Sequence, residues 1–111
     1  MVRVVEEEGS LRVESSIDDA TRTARVALGG ELDLNGVDAV TTEFDELGEQ
    51  HVDTVLVDAS GLTFLDSSGL RALLAGRTRL QAKHVQLRVV NASPAIARLL
   101  DMTGTRSMLE E

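Results

Sequence analysis

The 111-residue sequence has no cysteine, tryptophan or tyrosine, and only two phenylalanines and one proline. Without cysteine there is no disulfide framework, no thiolate nucleophile and no Cys-based zinc site, and the chain suits a reducing cytoplasm. Thiol redox chemistry is excluded. The scarcity of rings implies an aliphatic core and removes the stacking platforms on which bases or sugars are read. Positive charge is also in deficit: 11 Lys and Arg against 19 Asp and Glu leave a net charge of −8. Nucleic-acid binding rests on neutralising phosphates, so nucleic acid is not an expected partner, whereas a basic protein surface is. No apolar run approaches the ~20 residues of a membrane span. Met1 is followed by Val-Arg-Val-Val-Glu-Glu-Glu, not by a basic region leading into an apolar one. The expectation is a cytoplasmic protein without membrane insertion.

What is present suffices for one folded domain. The hydrophobic fraction of 42% and charged fraction of 27% are those of a globular chain, far from the disordered profile. Residues 1–10 combine a Val-rich run, the triplet Glu6-Glu7-Glu8 and the flexible pair Gly9-Ser10, and read as a tail or an extra edge strand. Leu11 to Ser16 and Thr23 to Leu28 suit two strands joined by a turn at Asp18-Asp19-Ala20, an antiparallel hairpin. Asn35 stands at a helix N-cap position before Val37, Val40, Phe44 and Leu47, and Gly48 closes that helix. Val52 to Asp58 contains Val55-Leu56-Val57, a run expected of a central strand covered on both faces. Leu70, Leu73, Leu74 and Leu80 recur at helical spacing, and Val85, Leu87 and Val89 alternate as a strand. Ser93 caps a helix with Pro94 in its first position, placing Ile96, Leu99, Leu100 and Thr103 inward before Gly104 ends it. Met102 reads as gap-filling core. Residues 105–111 carry a weak strand signal. The order predicts an α/β fold, a mixed four- to five-stranded sheet packed against three to four helices.

The chemistry concentrates at Asp66-Ser67-Ser68-Gly69, between a strand region and an amphipathic helix. Unpaired backbone N–H groups and the positive end of the helix dipole converge there, so a phosphate would be well placed. The plain structural reading is that Asp66 or Ser67 caps the helix, and capping is compatible with function. A serine nucleophile needs a base, yet the only histidines, His51 and His84, fall at strand starts, at the opposite sheet edge from a strand-to-helix turn. The glycine of a nucleophile elbow is also missing two residues before the serine. No catalytic residue is assigned. There is no glycine-rich loop ending in Gly-Lys-Ser/Thr, and Gly29-Gly30 does not match a dinucleotide fingerprint. Asp18, Asp19, Glu31, Asp33, Asp58 and Asp66 form no EF-hand loop, so neither metal nor cofactor is expected.

Four segments in order carry a resemblance: Gly30-Glu31-Leu32-Asp33; Val57-Asp58; Phe64-Leu65-Asp66-Ser67-Ser68-Gly69-Leu70; and Ser93-Pro94 through Asp101-Met102-Thr103-Gly104. Together they resemble the STAS domain, and specifically the stand-alone bacterial anti-sigma factor antagonists, over residues 11–111. The resemblance implies a partner switch. The unphosphorylated antagonist binds an anti-sigma factor and frees a sigma factor; the anti-sigma factor is a serine kinase that uses ATP to phosphorylate the serine following the motif aspartate, here Ser67; and a PP2C-type phosphatase reverses the mark. Asp66, Ser68 and Gly69 then belong to the partner-binding surface. Glu31 and Asp33 are partner contacts or orienters of the kinase's Mg-ATP, or else simple loop and cap residues, and Arg71 is either a partner contact or a solvated helix residue. The alternative is a STAS scaffold or regulatory subunit of another assembly, such as a stressosome or a lipid-transport ATPase. The short polar end after Gly104 and the acidic first ten residues depart from the family pattern.

Overall fold

The computed structural model describes residues 2–8 and 10–110, with side chains from Ser10 to Glu110; Gly9, the expected flexible joint, lies outside the described residues. Strands β1 (Val2–Glu8), β2 (Leu11–Asp18), β3 (Thr23–Leu32), β4 (Thr54–Leu65) and β5 (Gln86–Val90) form one sheet in chain order. Helices α1 (Val37–Gly48), α2 (Ser67–Gln81), α3 (Pro94–Met102) and α4 (Arg106–Glu110) complete the fold. β1, β2 and β3 pair antiparallel, whereas β3, β4 and β5 pair parallel. Parallel neighbours need crossovers, which α1 and α2 supply.

Alternation along β2 sets the inner face: Leu11, Val13, Ser15 and Ile17 are buried, and Arg12, Glu14 and Asp18 are exposed. Their hairpin closes because the Asp18 carboxylate accepts the Ala20 N–H at 3.0 Å, a side-chain mimic of a backbone turn. Ala24, Val26, Val55, Val57, Leu87 and Val89 continue this face across β3 to β5, and Val40, Phe44, Leu47, Leu70, Leu73, Leu80, Ile96, Leu100 and Leu109 meet it from the helices in one cluster. At its edge the Ser15 hydroxyl donates to Glu43 Oε2 at 2.9 Å within the interior.

Several expectations are corrected. The cap at the start of the first helical segment is Asp33, not Asn35: the Asp33 carboxylate accepts the Asn35 N–H at 3.0 Å and starts a 3-10 turn, Leu34–Gly36, that leads into α1. A carboxylate two residues back reaches that N–H, which a side chain on Asn35 itself cannot. β4 is not covered on both faces. Its inner residues are buried, but Leu56 is half-buried on the opposite face, in register between Arg25 and Arg88. β4 also runs seven residues past Asp58, because register shifts opposite Ala27–Gly29 and Gly30–Glu31 absorb extra residues as bulges. Met102 is 74% exposed rather than core. Thr103 is exposed, with its hydroxyl donating to the Leu99 carbonyl. The C-terminal segment is helix α4, not a strand; Leu109 anchors it in the core, and Arg106 pairs with Asp101 and Glu110.

Candidate functional site

β4 ends at Leu65, and Asp66 leaves in an extended conformation to cap α2, its carboxylate accepting the Gly69 N–H at 2.9 Å. Of the two capping candidates it is therefore Asp66 that caps, and Ser67 is the first residue of α2. Ser67 is exposed, and its hydroxyl makes no hydrogen bond among the described residues. The helix leaves the N–H groups of its first residues without carbonyl partners, so the Ser67 and Ser68 N–H groups face outward at the positive end of the dipole.

The turn is held against the end of β3. The Asp66 N–H donates to the Leu32 carbonyl at 3.3 Å, and Gly69 is buried so tightly that a Cβ there would stand 2.4 Å from the same oxygen. This contact brings the carboxy ends of β3 and β4 together, with Glu31 opposite Phe64 and Leu32 opposite Leu65. Glu31 is exposed beside the turn, while the half-buried Asp33 is committed to its own capping bond. Ser68 is half-buried, and Arg71 is exposed one turn further along α2. Ser68 and Arg71 line a shallow groove of about 260 Å³ with Leu34, Val37, Thr41 and Ala75. Of the six residues expected around Ser67, Glu31 and Arg71 are exposed, Asp33, Asp66 and Ser68 are half-buried, and the buried Gly69 lets the helix approach the sheet.

His51 and His84 are exposed and precede β4 and β5 at the other end of the sheet, with all twelve residues of β4 between that end and Ser67. Among the described residues no group of three or more His, Cys, Asp or Glu could hold a metal ion, and no helix is long and apolar enough to cross a membrane.

Sequence reasoning missed the apolar rim of the site. Leu34 is 72% exposed and Phe64 45%, on either side of the turn. Leu34, directly after the Asp33 cap, was the available signal, since a leucine inside a polar loop has no local packing partner. It also missed the outer-face network centred on Asp58. Partial burial pushes the Asp58 carboxyl up, but hydrogen bonds from the Ser60 backbone, Arg25, the Ser60 hydroxyl and Asn91 outweigh it and hold its pKa at about 2. Arg25 lies 2.8 Å from it and the Asn91 amide 3.4 Å. This pins β3, β4 and the end of β5 together at the level where β4 begins to bulge.

The family profile described as "Mlab, STAS domain" matches residues 15–110. The chain belongs to the STAS-domain family. Among sequences, this STAS domain is 34% identical over 80 residues to the anti-sigma F factor antagonist of Paenibacillus polymyxa, covering 71% of this chain and 68% of the relative. Among structures it is similar to an anti-sigma factor antagonist from Mycobacterium paratuberculosis (TM-score 0.78, 25% identity, covering 90% of this chain and 83% of the other). It is also similar to the anti-sigma factor antagonist SpoIIAA in its unphosphorylated form (TM-score 0.71, 26% identity, 86% and 84% covered). The phosphorylated form of SpoIIAA matches with a TM-score of 0.64 at 26% identity, covering 86% of this chain and 87% of the other. The mixed sheet with its four helices is thus the STAS fold.

Proposed function

We propose that this STAS domain is a cytoplasmic anti-sigma factor antagonist, itself without catalytic activity, that is switched by phosphorylation at Ser67. In this reading the unphosphorylated surface, formed by Glu31, Asp33, Asp66, Ser67, Ser68 and Arg71 with Leu34 and Phe64, binds an anti-sigma factor that is also a serine kinase and so releases a sigma factor. The kinase moves the γ-phosphoryl of ATP onto Ser67 Oγ: the new O–P bond replaces the bond to the β-phosphate, the hydroxyl proton is lost, and ADP leaves. A PP2C-type phosphatase hydrolyses the ester. The observation that carries the reading is that Asp66 does the capping, which leaves an exposed, unbonded Ser67 hydroxyl at the first position of α2.

The chemistry of the mark supports an intermolecular read-out. A phosphoserine adds about −1.5 to −2 charges, which a helix N-terminus tolerates, so the fold survives. The same charge beside Asp66 and Glu31 repels an acidic partner patch, and about 1.4 kcal/mol is tenfold in affinity. The test is to incubate the protein with ATP and the anti-sigma kinases of its own genome and to locate phosphate by mass spectrometry. Phosphate on Ser67 supports the switch; phosphate confined to Ser68, or no modification by any of them, overturns it.

A second reading, a regulatory STAS subunit of another assembly, draws on the description of the matching profile, which names Mlab. There Ser67 would be an unmodified contact residue, and the same mass-spectrometric experiment separates the two.

A further inference from the structure

α2, Ser67–Gln81, contains no Asp or Glu but three arginines, Arg71, Arg77 and Arg79, in a chain of net charge −8. Arg79 has a partner across the helix pair in Asp45, and Arg12, Arg22, Arg25, Lys83 and Arg106 also face carboxylates. Arg71 has no ion pair among the described residues, although it is exposed at the edge of the densest functional motif of the chain. The two carboxylates nearest to it in sequence are already engaged, Asp66 by the Gly69 N–H and Asp58 by Arg25, and the capping Asp33 holds the Asn35 N–H.

Helical geometry limits what Arg71 can reach along its own helix. Residues three and four apart share a face, and long side chains lean back toward the N-terminus. The positions so placed ahead of Arg71 are Ser67 and Ser68; those behind it, Leu74 and Ala75, are apolar. The only anion that α2 can offer Arg71 is therefore one added to a serine. An acidic group four residues before a cation is also the favourable orientation for such pairs.

We propose that Arg71 is the built-in counter-ion of phosphorylated Ser67. Before phosphorylation its guanidinium is free at the groove edge to meet a partner's carboxylate. Afterwards it turns back one helical turn and holds the phosphoryl oxygens, so the mark both adds charge and withdraws a cation from the docking surface. This inference rests on Ser67 being the modified residue, and its test separates the two claims.

The full chain is made with phosphoserine incorporated at position 67 during translation, so that no kinase is involved, and is titrated by phosphorus NMR alongside its Arg71→Gln and Arg71→Lys variants. The backbone N–H groups are common to all three and cancel in the comparison. The second phosphate pKa of the Arg71 protein is expected to lie a few tenths of a pH unit below that of Arg71→Gln, with Arg71→Lys recovering much of the difference and high salt shrinking it. The unphosphorylated proteins are expected to melt together, because Arg71 is unpaired in that state. Identical titration curves for the Arg71 and Arg71→Gln phosphoproteins overturn the counter-ion. A shifted curve together with failure of every kinase to modify Ser67 leaves the pair standing and sinks the switch.

Discussion

Gly69 packs against the carbonyl oxygen of Leu32 so closely that even a methyl group has no room: its Cβ would lie 2.4 Å from that oxygen and 2.8 Å from Leu65 Cδ1. The opposing atom is backbone, which cannot swing aside, so Gly69→Ala must push the start of α2 off the end of β3. The expected cost is about 1–3 kcal/mol in urea denaturation, in the range for overpacking a tight contact. Because Ser67 rides on that turn, phosphorylation by a cognate kinase should slow more than the loss of stability explains. Unchanged stability would show that the turn has freedom the packing denies it.

Gly76 lies deeper in the α1–α2 contact, where a Cβ would come within 2.4 Å of the Phe44 ring. Phe44 is buried and cannot leave the core cheaply, so Gly76→Ala should destabilise by about 1–3 kcal/mol despite alanine's better helix propensity. Gly76→Ala, Phe44→Leu should recover part of the loss. Thermal melts of the two variants read the coupling.

Asp58 links stability to pH. Its folded pKa of about 2 lies below the ordinary 3.8, so ionised Asp58 stabilises the fold above about pH 4, and that contribution fades as pH falls toward 2. The side chain is only 15% exposed, and the contribution is on the order of 2 kcal/mol. Urea titrations of the parent and Asp58→Asn proteins should differ by about that amount at pH 7, with the pH-dependent part of the gap closing between about pH 4 and pH 2. A gap independent of pH would mean that the carboxylate charge is not what Arg25 and Ser60 recognise.

Features that depend on neighbours in sequence were readable from sequence. Leu11, Val13 and Ile17 alternate over a strand, and Ser93-Pro94 announces α3; the Ser93 hydroxyl accepts the Ile96 N–H at 3.3 Å. The motif around Ser67 stood out for the same reason, since a capping cluster before a leucine-spaced helix is a local pattern. What was misread depends on contacts distant in sequence. The strand expected over Val52 to Asp58 runs on instead, because Gly61, beside Leu28 and Gly29, is carried through β4 in a bulge. Residues 106–110 are too few to show a period, and only the burial of Leu109 and the Arg106 ion pairs make them a helix. The groove beside Ser68 draws its other wall from Leu34, Val37 and Thr41 and exists only once α1 and α2 are packed.

The central claim is that the chemical state of Ser67 decides partner binding. It is tested most directly by titrating an anti-sigma factor from the same genome calorimetrically with two forms of the full chain, one with the free Ser67 hydroxyl and one with phosphoserine at that position. Tight binding of the hydroxyl form, retained by Ser67→Ala, and binding at least about 100-fold weaker for the phosphoserine form is the expected result, a difference of about 2.7 kcal/mol. Equal affinities for the two forms would contradict it.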